Sequence, residues 1–155
     1  VRKGRLRFSC GLREKGDSLG MGVIHKFLLE EQRWLWQGVE RKIYPSGNRP
    51  SDPKGVSVQW LIGRDEGAPF FAVRYFELEP GGQTILDRHP HDHGVFVLRG
   101  RGRVRLGEMF YELGFGDVVY IPGNEVHQFF NAGEDLFAFL CVIPNKDHLR
   151  GLGLL

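Results

Sequence analysis

Three histidines, His89, His91 and His93, fall within five residues in the run Asp87-Arg88-His89-Pro90-His91-Asp92-His93, and a fourth, His127, lies further on. The chain has six in all. Imidazole is the commonest metal ligand, and a mononuclear site needs three or four donors converging on one point. The cluster therefore points to a metal centre. Side chains two apart on a strand share a face, so Asp87 and His89 point the same way. Pro90 and Gly94 break the pattern. They predict Asp87 and His89 near the end of one strand, His91 on a turn, and His93 at the start of the next strand. His127 must arrive from a later strand, after the turn Pro122-Gly123-Asn124-Glu125.

The elements that would carry these groups are legible from residue 55 onward. Val56, Val58, Trp60 and Ile62 alternate with smaller or polar residues, which suits a half-buried strand. Phe70 to Leu78 reads as a second strand, stopped by Pro80-Gly81-Gly82. Val95 to Leu98 is apolar on both faces and predicts a strand covered on both sides. Arg101, Arg103 and Arg105 alternate with Gly102, Val104 and Leu106, giving one wet face and one core face. Further short apolar runs, 109–113, 118–121, 126–130 and 136–143, are separated by Gly114, Gly116, Pro122-Gly123-Asn124 and Gly133. Strands this short and regular argue for an all-β sandwich or barrel. Ahead of them, residues 1–22 show no period and read as an arm. Ile24, Phe27, Leu28 and Leu35 fit a helical spacing loosely and predict a short helix within 23–36. Three prolines make residues 45–53 a loop. The expected division is an extension over 1–54, a barrel over 55–144 and a tail over 145–155.

A chain of 155 residues is most simply one domain, and 41% apolar residues with 12 Phe and 3 Trp can fill a core. Lys plus Arg number 21 against 19 Asp plus Glu, so the overall charge calls for no nucleic-acid partner. No run approaches the ~20 apolar residues of a membrane span. Cys10 and Cys141 lie far apart and form no CxxC, which excludes a cysteine zinc site and suits a reducing cytosol.

Two segments carry a resemblance to a known family. Gly82-Gln83-Thr84-Ile85-Leu86-Asp87-Arg88-His89, followed by His93 and Val95-Phe96-Val97-Leu98-Arg99-Gly100, resembles the first motif of the cupin superfamily. Gly116, then Pro122, His127 and Asn131, looks like its second motif. The resemblance covers roughly residues 55 to 144. It implies a small jelly-roll barrel, or double-stranded β-helix, that commonly pairs as a homodimer and holds one divalent metal (Fe, Mn, Zn or Ni) inside the barrel. By position, Asp87 stands where the family has its first histidine, His89 takes the second, and His93 replaces the family's glutamate. The implied shell is Asp87, His89, His93 and His127. A gapped alignment would bring His91 in and leave Asp87 out. Asn124 stands where the second motif has glycine, and asparagine tolerates the left-handed backbone such a turn requires.

The blander readings place His25 and His148 at the surface, Glu125 toward solvent, the arginine stripe on a solvated strand face, and Cys141 in the core beside Phe137 and Phe139. With a metal, three function classes stay open. An oxygenase, the favoured one, would use the histidine-rich shell and an apolar wall that includes Phe129 and Phe96. A redox-neutral isomerase or lyase on a sugar or hydroxyacid needs an acid or base, for which Tyr75, Tyr120 and Glu77 are the candidates. A ligand- or metal-binding module needs neither. A small-molecule substrate or ligand is the expected partner. Trp34, Trp36 and Val39 are the extension residues expected to pack on the barrel.

Overall fold

The computed structural model describes residues 22–153. The expected arm, with Cys10, lies outside the described residues apart from Gly22. Eleven strands and one short helix are present among the described residues. β1 (Phe27–Glu30) and β2 (Arg33–Trp36) form a hairpin. Then come β3 (Arg41–Ile43), β4 (Lys54–Ile62), β5 (Phe71–Gln83), β6 (His93–Arg99), β7 (Gly102–Leu106), β8 (Met109–Leu113), β9 (Val118–Ile121), β10 (His127–Asn131) and β11 (Phe137–Pro144), with α1 (Lys146–Gly151) last. They form one curled antiparallel sheet in the order β8-β7-β10-β5-β11-β6-β9, with β4 on β5 and β3 on β4. This is the all-β jelly-roll expected from the sequence, with an N-terminal extension.

β5 joins the two limbs of the sheet. Residues 71–78 pair with β11 on one side and 73–78 with β4 on the other, while Gln83 at its end meets both Lys54 of β4 and Phe130 of β10. The strand bends at Gly81-Gly82. A side chain on Gly82 would press on the carbonyls of Glu79 and Lys54, at 2.7 and 2.9 Å, so only glycine lets the strand turn this corner. Beyond the bend the chain stays zipped to β10. The Thr84 amide donates to the Phe129 carbonyl at 2.9 Å, and Asp87 and His127 exchange both backbone bonds at 3.0 Å.

The core lies inside the curl. Alternate residues Val56 and Val58 of β4, Phe76 and Leu78 of β5, Val95 and Val97 of β6, Phe129 of β10, and Phe137, Phe139, Cys141 and Ile143 of β11 are all buried there. Arg103 faces outward over the rings of Phe110 and Phe130, and Arg105 donates to the Gly107 carbonyl. The stripe is therefore a strand face braced by its own neighbours.

Two expectations fail. Residues 23–36 form a hairpin rather than a helix. Glu31 takes a left-handed conformation (φ 57°) at its turn, and Phe27, Trp34 and Trp36 pack edge-on or stacked with one another and with Tyr75. Tertiary packing of aromatics outweighs a loose helical spacing. The second failure is β6, which is covered on one face only. Val95 and Val97 are 1% and 0% exposed, but Phe96 is 42% exposed. The hairpin covers β4 and β5 instead, so that Ser57 and Gln59, on the outer face of β4, are buried too.

Candidate metal centre

His93 opens β6 and His127 opens β10, as expected, while His89 lies in the connection between β5 and β6. Two contacts fix that connection. The Asn124 amide donates to the His89 carbonyl at 2.7 Å, and Gly123 lies so close to the Pro90 carbonyl that no Cβ would fit. Asn124 holds φ at 67°, the left-handed turn expected of it.

One ring nitrogen from each of His89, His93 and His127 lies within 4.8 Å of the other two. Each Nδ1 is engaged elsewhere: with the His91 carbonyl at 3.0 Å for His89, the Glu125 carbonyl at 2.9 Å for His127, and Cys141 Sγ at 3.0 Å for His93. A carbonyl can only accept, so His89 and His127 donate from Nδ1 and keep a lone pair on Nε2. Outer-shell acceptors of this kind orient metal-bound histidines generally. His89 Nε2 and His93 Nε2 face each other at 2.8 Å, a separation that calls for a proton or a cation between them. Burial holds the His89 imidazole below its ordinary range. It pushes His93 down to about 2 and His91 to about 4, helped by repulsion from neighbouring cations. His89, His91 and His93 are therefore neutral at neutral pH, and a neutral imidazole is the form that ligates a metal. The donor set fits a divalent first-row ion.

Asp87 and His91 stand differently. Asp87 Oδ2 is 3.9 Å from His89 Nε2, its side chain is 47% exposed, and Oδ1 accepts the Arg88 amide. His91 lies outside the trio. It is buried, and it stacks on His89 with centroids 3.7 Å apart. Of the remaining histidines, His25 bonds to the Gln37 carbonyl and to Glu66, and His148 lies edge-on to Phe70. Glu125 contributes its backbone carbonyl to His127.

The histidines open into a cleft of about 660 Å³, part of it open to solvent. Its walls include Tyr44, Phe76, Phe129 and Phe139, with Arg74, Thr84, Cys141 and Lys146 as polar groups. Phe129 lines it as expected, but Phe96 faces the other way. None of the three expected acid–base residues reaches it. Tyr75 and Glu77 have the opposite parity to Arg74 and Phe76 on β5, and so face the outer side. There the Tyr75 hydroxyl donates to Glu77 at 3.1 Å, and Glu77 also takes Arg33 at 2.5 Å and Arg99 at 3.4 Å. Tyr120 is 65% exposed on β9.

Cys141 is buried in the core, as expected from its parity, but it is also part of the cleft wall. The strand register pairs it with Arg74 on one side and Val95 on the other. Arg74 Nη2 lies 3.1 Å from Sγ, and His93 Nδ1 lies 3.0 Å from it. Burial raises the thiol's pKa and Arg74 opposes the rise. The sequence reading missed Arg74, Tyr44 and Lys146. For Arg74 a signal exists: it is the charged member of the inward series Ala72, Arg74, Phe76, Leu78. Tyr44 and Lys146 carry none.

Residues 74–143 match the family model of the cupin domain. Over 114 residues the chain is 42% identical to the 1-methylthio-D-xylulose 5-phosphate methylsulfurylase of Rhodospirillum rubrum, covering 73% of this chain and 70% of that protein. Among solved structures, a conserved-barrel domain protein of Rhodopseudomonas palustris is 31% identical with a TM-score of 0.66, over 84% of this chain and 92% of the other. A sugar phosphate isomerase of Silicibacter pomeroyi is 28% identical with a TM-score of 0.57, over 70% and 72% of the two chains.

Proposed function

Since the chain belongs to the cupin superfamily, we propose that it is a metal-dependent enzyme acting on a phosphorylated sugar that carries a thioether, as its Rhodospirillum relative does by name. His89, His93 and His127 hold one divalent ion (Fe, Mn, Zn or Ni) through Nε2. Asp87 is the neighbouring carboxylate that can complete the set, and His91 braces His89 by stacking. When bound, the ion supplies a Lewis acid that polarises a carbonyl. The rest falls to the chain's own groups. Phe76, Phe129 and Phe139 make a dry wall, Tyr44 offers a hydroxyl, and Arg74 holds Cys141 against His93.

One observation carries this reading: a thiol stands in the same wall as the imidazoles, flanked by a guanidinium and a histidine nitrogen. A methylsulfuryl transfer needs an acceptor for the methylthio group: the Cys141 thiolate would bond to the methylthio sulfur as that sulfur's bond to carbon breaks, and the carbon would take the electron pair and a proton. An external thiol would then release methanethiol from the methyl disulfide left on Cys141. The test uses metal-loaded protein, a 1-methylthio-ketose phosphate and an added thiol to clear the methyl disulfide. Wild-type protein should release the dethiomethylated sugar, while Cys141→Ser should retain its metal and release none. Equal turnover by Cys141→Ser would refute the role of the thiol.

The oxygenase expectation ranks second, supported by the neutral histidine shell and the apolar wall. Oxygen uptake by iron-loaded protein would favour it, as anaerobic turnover would the redox-neutral reading. A binding module would show ligand-dependent stabilisation without turnover. The outward row Val118, Phe96 and Val142, exposed at 69%, 42% and 41%, supports a homodimer.

A further inference from the structure

Arg74 is unlike the other enclosed arginines among the described residues. Arg33, Arg41 and Arg99 share Glu77, and Arg105 reaches Glu108. Arg74 is half-buried, yet no carboxylate lies within ion-pair distance of it among the described residues. Its Nε is buried with no hydrogen-bond partner, and its one side-chain bond goes to a sulfur, a weak acceptor. It lies over the rings of Trp60 and Phe76, at 5.3 and 5.0 Å, which hold its plane in place. A desolvated cation without a counter-charge is costly unless something else supplies the negative charge. Lys146 is the second cation of the cleft. It follows β11 closely, lines the same cleft, and also forms no ion pair among the described residues. Both cations lie near enough to His91 to disfavour its charged form.

We infer that Arg74 and Lys146 form the anion-binding pole of the cleft and take the phosphoryl end of a substrate whose reacting end lies at the histidines. This rests on the sugar phosphate reading above. The two cations divide the work by shape. Arg74 is a planar donor fork fixed between rings, and Lys146 is a mobile point charge at the mouth. A neutral sugar would leave both uncompensated.

Calorimetric titration of inorganic phosphate into metal-stripped protein tests the pole without turnover and without a metal to hold the anion. Wild-type protein should bind phosphate, with sulfate competing and chloride at equal ionic strength not. Lys146→Ala should weaken binding about tenfold, the usual scale of one charge-assisted contact, and Lys146→Glu should abolish it. Lys146 is exposed, so these variants fold; Arg74→Lys is the paired variant on the buried side. Equal affinity in all variants overturns the inference, and so does failure of wild-type protein to bind millimolar phosphate. In turnover, Lys146→Ala should raise KM for the phosphorylated thioether sugar and leave its dephosphorylated form unaffected. Phosphate binding that depends on Lys146, without turnover of any thioether sugar, keeps the pole and removes the methylsulfuryl reading. Turnover with phosphate binding indifferent to both cations does the reverse.

Discussion

Glu77→Gln keeps the side chain's shape and removes its charge. The Glu77 side chain is 2% exposed, accepts from Arg33, Tyr75 and Arg99, and has Arg41 3.9 Å away. Removing one partner of a buried ion pair costs about 3–5 kcal/mol. Here the three arginines are 35%, 24% and 21% exposed, so water partly re-solvates them. Arg33 keeps Glu79, at 2.5 Å. The glutamine oxygen still accepts at least one of the lost bonds. These offsets bring the expected loss to about 2 kcal/mol. For a domain of this length each kcal/mol shifts Tm by about 2–4 °C, so Tm should fall by about 4–8 °C. Scanning calorimetry at matched metal content measures this. Tryptophan emission gives a second readout, because Trp34 and Trp36 lie against Tyr75 on the same face. Turnover well below Tm should be unchanged, since Glu77 faces away from the cleft. A Tm within a degree of wild type, joined to a loss of kcat, would refute the reasoning and return Glu77 to the acid–base groups.

His127→Ala should lose nearly all bound metal by elemental analysis, while His91→Ala should keep one equivalent; equal loss in both would bring His91 into the shell. Metal-free protein should lose thermal stability as pH falls. The imidazoles of His91 and His93 titrate near 4 and 2 in the fold and near about 6.5 in the unfolded chain. The unfolded chain therefore takes up protons first, and the stability present above about pH 6.5 drains away toward pH 4. A melting temperature that is flat over that window would contradict burial of neutral rings.

Much of the barrel was legible because its turns carry glycine and proline and its strands alternate cleanly. The histidine cluster was legible because three of its members fall in a short stretch of chain. The hairpin was not, because Glu31 occupies a left-handed turn position where asparagine or glycine is the usual signal. The exposure of Phe96 was hidden because strand composition does not say which neighbour covers a face. Parity put Cys141 correctly beside Phe137 and Phe139. It could not reveal that Arg74 and His93 meet the same sulfur, since that follows from the register of two long-range pairings. Residue type alone points to Tyr75 and Glu77, and their parity relative to Arg74 turns them away from the cleft.

β5 acts as a party wall. Arg74 and Phe76 belong to the room that holds the histidines, and Tyr75 and Glu77 to the one roofed by Trp34, Trp36 and Arg33. A shortened chain beginning at β3 would retain every histidine of the trio and still strip the far side of that wall. Gln59, Tyr75 and Glu77 would meet water, while Trp60 and Phe76, the rings that hold Arg74, would stay in place. The amino-terminal strands thus roof the outer room alone, and none of their residues lines the cleft.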